Sequence, residues 1–319
     1  MKPAEFLADL QRKPEALQHL AEGLRAADPW AGLGFLPERV VLVGMGSSTY
    51  AAGVAAARMR ARGLVAVAEL ASSDLLPAWG AGTLVVAISA TGGSKETLDA
   101  LGRVHPDATV VALTNTPGST ITQRASWTVD LEAGPEPGGV ACRSFQHTLA
   151  LLLALEAHLL GEPVDAVADT VSAAAEASSH LLSTWGDWGP TVTGLLDGPA
   201  GAHVVAPARR LSSAQQSALM LREGPRRAAV GCEAGDWAHV DVYLTKNTDY
   251  RLLSYAGSAW DDGILEWTLP RSTTVVSVGG DLEGASYTLR YPGDTDDDVR
   301  LLSEVLVAEL VAAHLWLAG

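Results

Sequence analysis

The chain has 319 residues, 48% of them hydrophobic, with a net charge of −15 and a pI near 4.9. That is enough apolar material for a large core, at the length of about two ordinary domains. The acidic balance argues against nucleic acid, whose backbone needs a basic stripe, and against an anionic membrane surface. Cys142 and Cys232 are the only cysteines and do not make a disulfide scaffold. The apolar run from Leu149 to Leu160 is interrupted by Glu156 and His158, and Met1–Glu5 lacks the apolar segment of a signal peptide. The expectation is a reduced, cytoplasmic protein with no membrane span.

In chain order, Ala4 to Ala26 reads as helix, with Pro14 interrupting it. Val40 to Val43 is continuously apolar, the pattern of a buried parallel strand. A helix over Ser48 to Arg62 follows, then strands over Leu64 to Leu70, Thr83 to Ile88, Thr109 to Leu113 and Trp127 to Leu131, with helices near 94–104 and 119–124. A long helical region covers Ala141 to Thr184, and Gly186 to Pro190 is expected to break it. A second series then begins: a strand at His203 to Ala206, a helix from Ser212 to about Val230, strands at Val240 to Thr245 and Leu252 to Tyr255, a helix over Ala259 to Leu269, a strand at Thr273 to Val278, and a closing helix over Asp296 to Leu317. Strands alternating with helices predict an α/β fold, with parallel sheets covered on both faces and ligands at the carboxyl ends of the strands.

The most informative segment is Ile88-Ser89-Ala90-Thr91-Gly92-Gly93-Ser94-Lys95-Glu96-Thr97. It joins a strand to a helix through a turn of hydroxyls and glycines, a geometry that offers an anion backbone N–H groups, hydroxyl donors and a helix N-terminus. Ser89, Thr91 and Ser94 can converge on one phosphate without Lys or Arg. A Walker loop does not fit, because Lys95 follows Ser94 in the wrong order. Gly44-Met45-Gly46-Ser47-Ser48-Thr49 departs from a dinucleotide fingerprint at Thr49. The plain alternative is a Ser/Gly turn that caps a helix. Asp294 to Asp298 reads as the acidic first turn of the closing helix rather than as a metal cluster, and neither metal nor cofactor is expected.

Four segments, in order, resemble the SIS (sugar isomerase) family of phosphosugar-binding proteins. Asp9-Leu-Gln-Arg-Lys-Pro14 is similar to the family's opening, and Val43-Gly44-Met45-Gly46-Ser47-Ser48 to its glycine–hydroxyl turn. Ser89-x-Thr91-Gly92-x-Ser94-x-x-Thr97 matches its phosphate loop with hydroxyl swaps, and Ala133-Gly134-Pro135-Glu136-Pro137-Gly138-Gly139-Val140-Ala141 its sugar-binding segment. More narrowly, the chain resembles the tandem-SIS group that includes the isomerase half of glucosamine-6-phosphate synthase. The resemblance implies two three-layer αβα domains, each a mostly parallel five-stranded sheet flanked by helices. Residues 1–165 would form an N-terminal helix and the phosphosugar-binding domain, and residues 166–319 a second domain.

The resemblance also implies roles. Ser48, Ser89, Thr91 and Ser94 would hold the 6-phosphate, and backbone N–H groups near Gly139 and Ala141 would contact sugar hydroxyls. Ala218 to Glu223 resembles the family's Ala-Leu-Lys-Leu-Lys-Glu helix, which places Glu223 on the catalytic base. His239, sixteen residues further on, would open the sugar ring, reaching the site of the neighbouring subunit in a homodimer. The plain alternatives are an ion-pair face around Glu223 with Arg222, Arg226 and Arg227, and a structural His239.

The implied activity is aldose–ketose isomerisation of a hexose or aminohexose 6-phosphate. Fructosamine-6-phosphate deglycation, aminosugar-phosphate deamination and non-catalytic phosphosugar sensing are the alternatives. Departures from the family are Ala90 for Gln, Arg143 for Lys, Met220 for Lys, and an ending at His314–Gly319 without the family's Lys-bearing tail. No nucleophilic Cys follows Met1, so synthase activity is not expected.

Overall fold

A computed structural model describes residues 1–319. The first half runs α1 (Pro3–Gln11), α2 (Lys13–Ala26), β1 (Arg39–Gly44), α3 (Ser47–Ala61), β2 (Ala66–Leu70), β3 (Thr83–Ile88), α4 (Lys95–Arg103), β4 (Thr109–Thr114), a 3-10 turn (Thr120–Arg124), β5 (Trp127–Asp130) and α5 (Arg143–Leu159). The second half runs α6 (Asp165–Ser183), α7 (Trp185–Leu196), β6 (Ala202–Ala206), α8 (Leu211–Glu223), β7 (Ala229–Glu233), α9 (Ala234–Trp237), a 3-10 segment (Asp241–Lys246), β8 (Arg251–Tyr255), α10 (Asp261–Thr268), β9 (Thr274–Val278), β10 (Tyr287–Leu289), α11 (Asp297–Ser303) and α12 (Val305–Ala318).

The strands form two five-stranded sheets, ordered β2-β1-β3-β4-β5 and β10-β9-β8-β6-β7, and every pairing is parallel. Taken from its other edge, the second sheet reads β7-β6-β8-β9-β10, the same order as the first strand for strand. In each, the chain steps outward once and then reverses past its starting strand. That reversal makes a crevice at the carboxyl ends between the first and third strands.

Two compact units contain these sheets. One comprises Ala16–Pro135 and Ala141–Ser172, and the other Met1–Glu15, Glu136–Val140 and Ala173–Gly319. In the first unit, Val41, Val43, Val85, Ala87 and Ala112 pack with Ala100 and Leu101 of α4 and with Ile121. All six residues of β3 are buried, as a central parallel strand requires. In the second unit, Val205, Leu252 and Val275 pack with Trp237, Val242, Tyr250 and Ile264.

Several elements differ from expectation. The N-terminal helix breaks at Arg12, and Pro14 sits in the first turn of α2, where its missing N–H costs nothing. The expected break at Gly186–Pro190 is helix: α7 runs through it with Pro190 inside. Trp188 is fully buried and donates its indole N–H to Leu181 O at 3.1 Å, while Trp185 stacks on His314 with centroids 4.1 Å apart. The burial of this aromatic cluster outweighs the hydrogen bond that Pro190 forgoes.

The expected helix to Val230 ends at Glu223, and Ala229–Glu233 is instead strand β7. Val240–Thr245, expected as strand, is mostly the 3-10 segment. Its apolar residues are largely surface-exposed, so their β propensity has no sheet to join. Strand β10 lies outside the expected set. The apolar stretch that matters for a membrane test is Asp297–Ala318 rather than Leu149–Leu160. It has 22 residues, and its most apolar 18-residue window has a mean hydropathy of 1.7, long and apolar enough to cross a membrane, yet 78% of that window is buried in the protein. It is a core helix, broken at Glu304 between α11 and α12.

Candidate functional site

The hydroxyl turn lies where the topology predicts, at the carboxyl ends of β1 and β3. Gly44 ends β1, and a Cβ there would stand 2.7 Å from Ser48 Cβ and 3.4 Å from Ile88 O. Only glycine lets the start of α3, which carries Ser48, close against the end of β3. Ser89 is buried and donates its backbone N–H to Leu113 O at 3.1 Å, while its carbonyl accepts from Gly92 N at 3.0 Å. Ser94 is the N-cap of α4, and its hydroxyl accepts from Thr97 N at 3.3 Å and Thr97 Oγ1 at 3.1 Å. Capping uses the acceptor lone pairs of Ser94, so the cap reading does not by itself exclude the anion reading, which needs its proton. Thr91 is exposed on the turn, and its hydroxyl lies 3.5 Å from Gly93 N.

The turn is clamped from β4. Ala90 O accepts from Asn115 N at 3.0 Å and from the Thr114 and Thr116 hydroxyls at 3.2 Å each. Asn115 also reaches the next strand's exit: its Nδ2 donates to Gly134 O at 2.8 Å, and its Oδ1 accepts from Ala133 N at 3.0 Å. Sequence reading missed Asn115. The signal was available, a Thr-Asn-Thr run directly after a buried strand, but its partners lie eighteen and more residues away.

Gly92 closes the turn at φ +64°, and a Cβ would fall 1.8 Å from Ser119 Oγ. Gly92→Ala is expected to destabilise the fold by about 1–3 kcal/mol through left-handed strain and overlap. A thermal denaturation series on the variant and the parent checks this.

The second sheet has the same crevice, and there the chain's own carboxylates take up the donors. Asp261 accepts from Gly257 N at 2.6 Å and Ser258 N at 3.1 Å. Asp297 accepts from Arg209 Nε at 2.5 Å and from Arg210, and Glu304 accepts from Arg210 Nε at 3.0 Å. Asp296 caps α11 through Asp298 N and Val299 N, and Asp294 pairs with Arg290. The aspartate run thus serves the helix start and its neighbouring arginines. No group of three or more His, Cys, Asp or Glu side chains is arranged to hold a metal ion.

Gly139 adopts φ +74° in the segment Glu136–Val140, which belongs to the second unit together with α1. Gly138 N donates to the buried Asp9 carboxylate at 2.9 Å, and Lys2 N donates to Gly138 O at 3.1 Å. A Cβ on Gly138 would lie 2.6 Å from Phe6 Cα. The acidic residue of the opening motif therefore ties down the glycine loop 129 residues away. Ala141 belongs to the first unit, just before α5. There Arg143 is buried and donates to Pro135 O.

Glu223 ends α8, half-buried. Arg226 donates to its carbonyl oxygen at 2.7 Å, and Arg227 pairs with Asp197 at 2.7 Å. The basic neighbours therefore make no ion-pair face around Glu223. Burial pushes its carboxyl above the ordinary range, with Arg226 opposing. Met220 is buried in the same helix, with the Gln216 amide 3.7 Å from its sulfur.

His239 is exposed in the turn after α9. Within the second unit it and Glu223 lie on opposite faces of the sheet. A Cβ on Gly231 of β7 would meet Ala214 O of α8 at 2.5 Å, whereas the next residue, Cys232, packs with Trp237 of α9 on the other face. Right-handed crossovers stepping in opposite directions from β6 and β7 require this. The structure thus places Ser48, Ser89, Thr91 and Ser94 at the carboxyl ends of β1 and β3 and separates Glu223 from His239 within one protomer.

Comparison with known proteins agrees with this architecture. The SIS domain family matches residues 37–157. Over 95% of the chain, the sequence is 26% identical to the glutamine–fructose-6-phosphate aminotransferase [isomerizing] of Aeropyrum pernix, of which it covers 50%. The chain thus spans about half the length of that curated relative. Among solved structures, the C-terminal domain of glucosamine-fructose-6-phosphate aminotransferase from Francisella tularensis superposes with a TM-score of 0.83 at 15% identity, covering 98% of this chain and 95% of that one. Glucosamine-6-phosphate deaminase from Thermotoga maritima superposes with a TM-score of 0.76 at 16% identity, covering 98% and 94%. These two likenesses share the α/β fold with its parallel five-stranded sheets. The match to the SIS domain family is thus confined to residues 37–157, which carry β1 to β5 and most of α5.

Proposed function

We propose that this protein is a phosphosugar isomerase that interconverts the aldose and ketose forms of a hexose or aminohexose 6-phosphate. The observation that carries this reading is the hydroxyl turn at the crevice of the first sheet. It presents hydroxyls and the α4 N-terminus at the carboxyl ends of β1 and β3, while the matching crevice of the second sheet is filled by Asp261, Asp297 and Glu304. Ser48, Ser89, Thr91 and Ser94 bind the phosphate, and backbone N–H groups at Gly139 and Ala141 hold sugar hydroxyls.

Anchoring the phosphate restricts the far end of the sugar, so binding energy holds C1 and C2 near a base. Glu223 takes a proton from one carbon and returns it to the other through an enediol, and burial, which raises its pKa above the ordinary carboxylate range, makes it a stronger base than an exposed carboxylate. His239 opens the ring in the site of a second copy. Its separation from Glu223 by the sheet, and the exposed Val240 and Tyr243 beside it (53% and 65% exposed), support a homodimer with two shared sites. The matched strand order supports reading the second sheet as a second SIS domain.

The test is solvent exchange. In D₂O, NMR of a panel of hexose and aminohexose 6-phosphates should show loss of the C1 or C2 proton for one of them. A panel with no exchange and no product, but with ligand-induced protein shifts, would instead establish a phosphosugar sensor. Deamination or deglycation is the second reading, supported by the likeness to the Thermotoga maritima deaminase. Release of ammonia or a free amino acid in the same tubes distinguishes it.

The rate should also fall with acid. A base acts deprotonated, so activity is lost as pH drops through the pKa of Glu223. The acid limb is expected above the ordinary carboxylate value of about 4.3. A pH–rate profile with its acid limb at or below that value would remove Glu223 from the role.

A further inference from the structure

Ser94 has one proton to donate, and another side chain takes it. Its hydroxyl donates to Glu96 Oε2 at 3.0 Å, while its lone pairs receive Thr97 N and Thr97 Oγ1. Its own backbone N–H first, and the Ser94 hydroxyl second, hold the Glu96 carboxyl below the ordinary range. Its side chain is on the surface of the first turn of α4. A carboxylate therefore engages one of the donors, the Ser94 hydroxyl, that the turn would offer to a phosphate.

We propose that Glu96 is an affinity-setting residue of the phosphate turn: a phosphate group binds by displacing the Glu96 carboxylate from Ser94. This rests on the reading of the turn as the phosphate site. A hydroxyl cannot donate one proton to two anions, and a carboxylate left beside a phosphate dianion repels it. Every anion meets the same cost. A phosphosugar offsets it with contacts from the rest of the molecule, whereas inorganic phosphate has only the turn. Glu96 thus keeps the turn from filling with inorganic phosphate while a larger phosphate ester still binds.

The experiment is calorimetric titration of the full chain with inorganic phosphate and with glucose 6-phosphate, for the parent, Glu96→Gln and Ser94→Ala. Gln keeps an acceptor for Ser94 and removes the charge. Glu96→Gln is expected to bind both about five-fold more tightly, with the gain shrinking as salt is added. The same variant without ligand should melt slightly lower, because a carboxylate in the first turn favours the helix dipole. Opposite signs for affinity and stability separate this role from plain capping. Ser94→Ala should weaken binding. If Ser94→Ala weakens binding but Glu96→Gln binds no more tightly than the parent, Glu96 is only a helix-start residue and the inference fails alone. If no form binds either probe, the phosphate reading of the turn fails, and the inference with it.

Discussion

Glu223→Gln is expected to lower turnover of the cognate 6-phosphosugar by about 10²–10⁴-fold, the range for loss of a general base, while ligand affinity stays within a few-fold. The amide keeps the size and hydrogen-bonding reach of the carboxylate and removes its ability to take a proton. Glu223 is half-buried at the end of a helix whose packing does not depend on its charge. The proposed phosphate-binding residues Ser48, Ser89, Thr91 and Ser94, by contrast, belong to the other compact unit. A split between rate and affinity is therefore the expected signature, and single-turnover kinetics with a separate binding isotherm will show it. A parent-like rate would place the proton transfer on another group. A parallel loss of binding would mean that Glu223 holds the sugar.

The second large effect concerns stability. Lys13 and Glu309 form an ion pair with both side chains fully buried, one at the start of α2 and the other on α12. Burial pushes the Glu309 carboxyl up, with Lys13 opposing. Breaking such a pair leaves an unpaired charge in a low-dielectric interior, so Lys13→Met is expected to destabilise the protein by about 3–5 kcal/mol. The loss should be read as a shift in denaturant midpoint at constant slope. Replacing both partners, Lys13→Met with Glu309→Leu, should recover much of that loss, because two apolar side chains need no compensation.

A sign follows for pH. A carboxyl whose folded-state pKa lies above its unfolded value favours the folded state when protonated. Its contribution is present in acid and lost as pH rises through the folded value. In Lys13→Met, Glu309 loses the cation that opposes this shift. The single variant should therefore lose less stability relative to the parent as pH is lowered toward 5. An equal loss at every pH would show that Glu309 stays charged without Lys13.

The roles and limits of local signal can be traced residue by residue. The strands β1, β3 and β4 were legible because parallel strands buried on both faces must be continuously apolar. The hydroxyl turn was legible because all its donors lie within six residues. Where sequence reading went astray, a distant partner decided the outcome. Gly186–Pro190 carries three helix breakers, Gly186, Gly189 and Pro190, yet Trp185 and Trp188 anchor it as helix through His314 and Leu181. Ala229 and Val230 were absorbed into a helix, and the rest of β7 was left unassigned, because the strand character of Ala229–Glu233 comes only from pairing with β6.

By itself, the order of residues determined most of the alternation of strands and helices, the hydroxyl-and-glycine turn of Ser89 to Ser94 and the segments that resemble the SIS family. These depend on periodicity and on donors close together along the chain. The tertiary structure alone decided that Asp9 holds the loop at Gly138, that Asn115 ties the turn to Ala133 and Gly134, that Lys13 meets Glu309, and that Glu223 and His239 lie on opposite faces of one sheet. Each of these joins groups far apart in sequence or sets the face of a sheet. Such pairings arise only when packing and crossover handedness bring the segments into register.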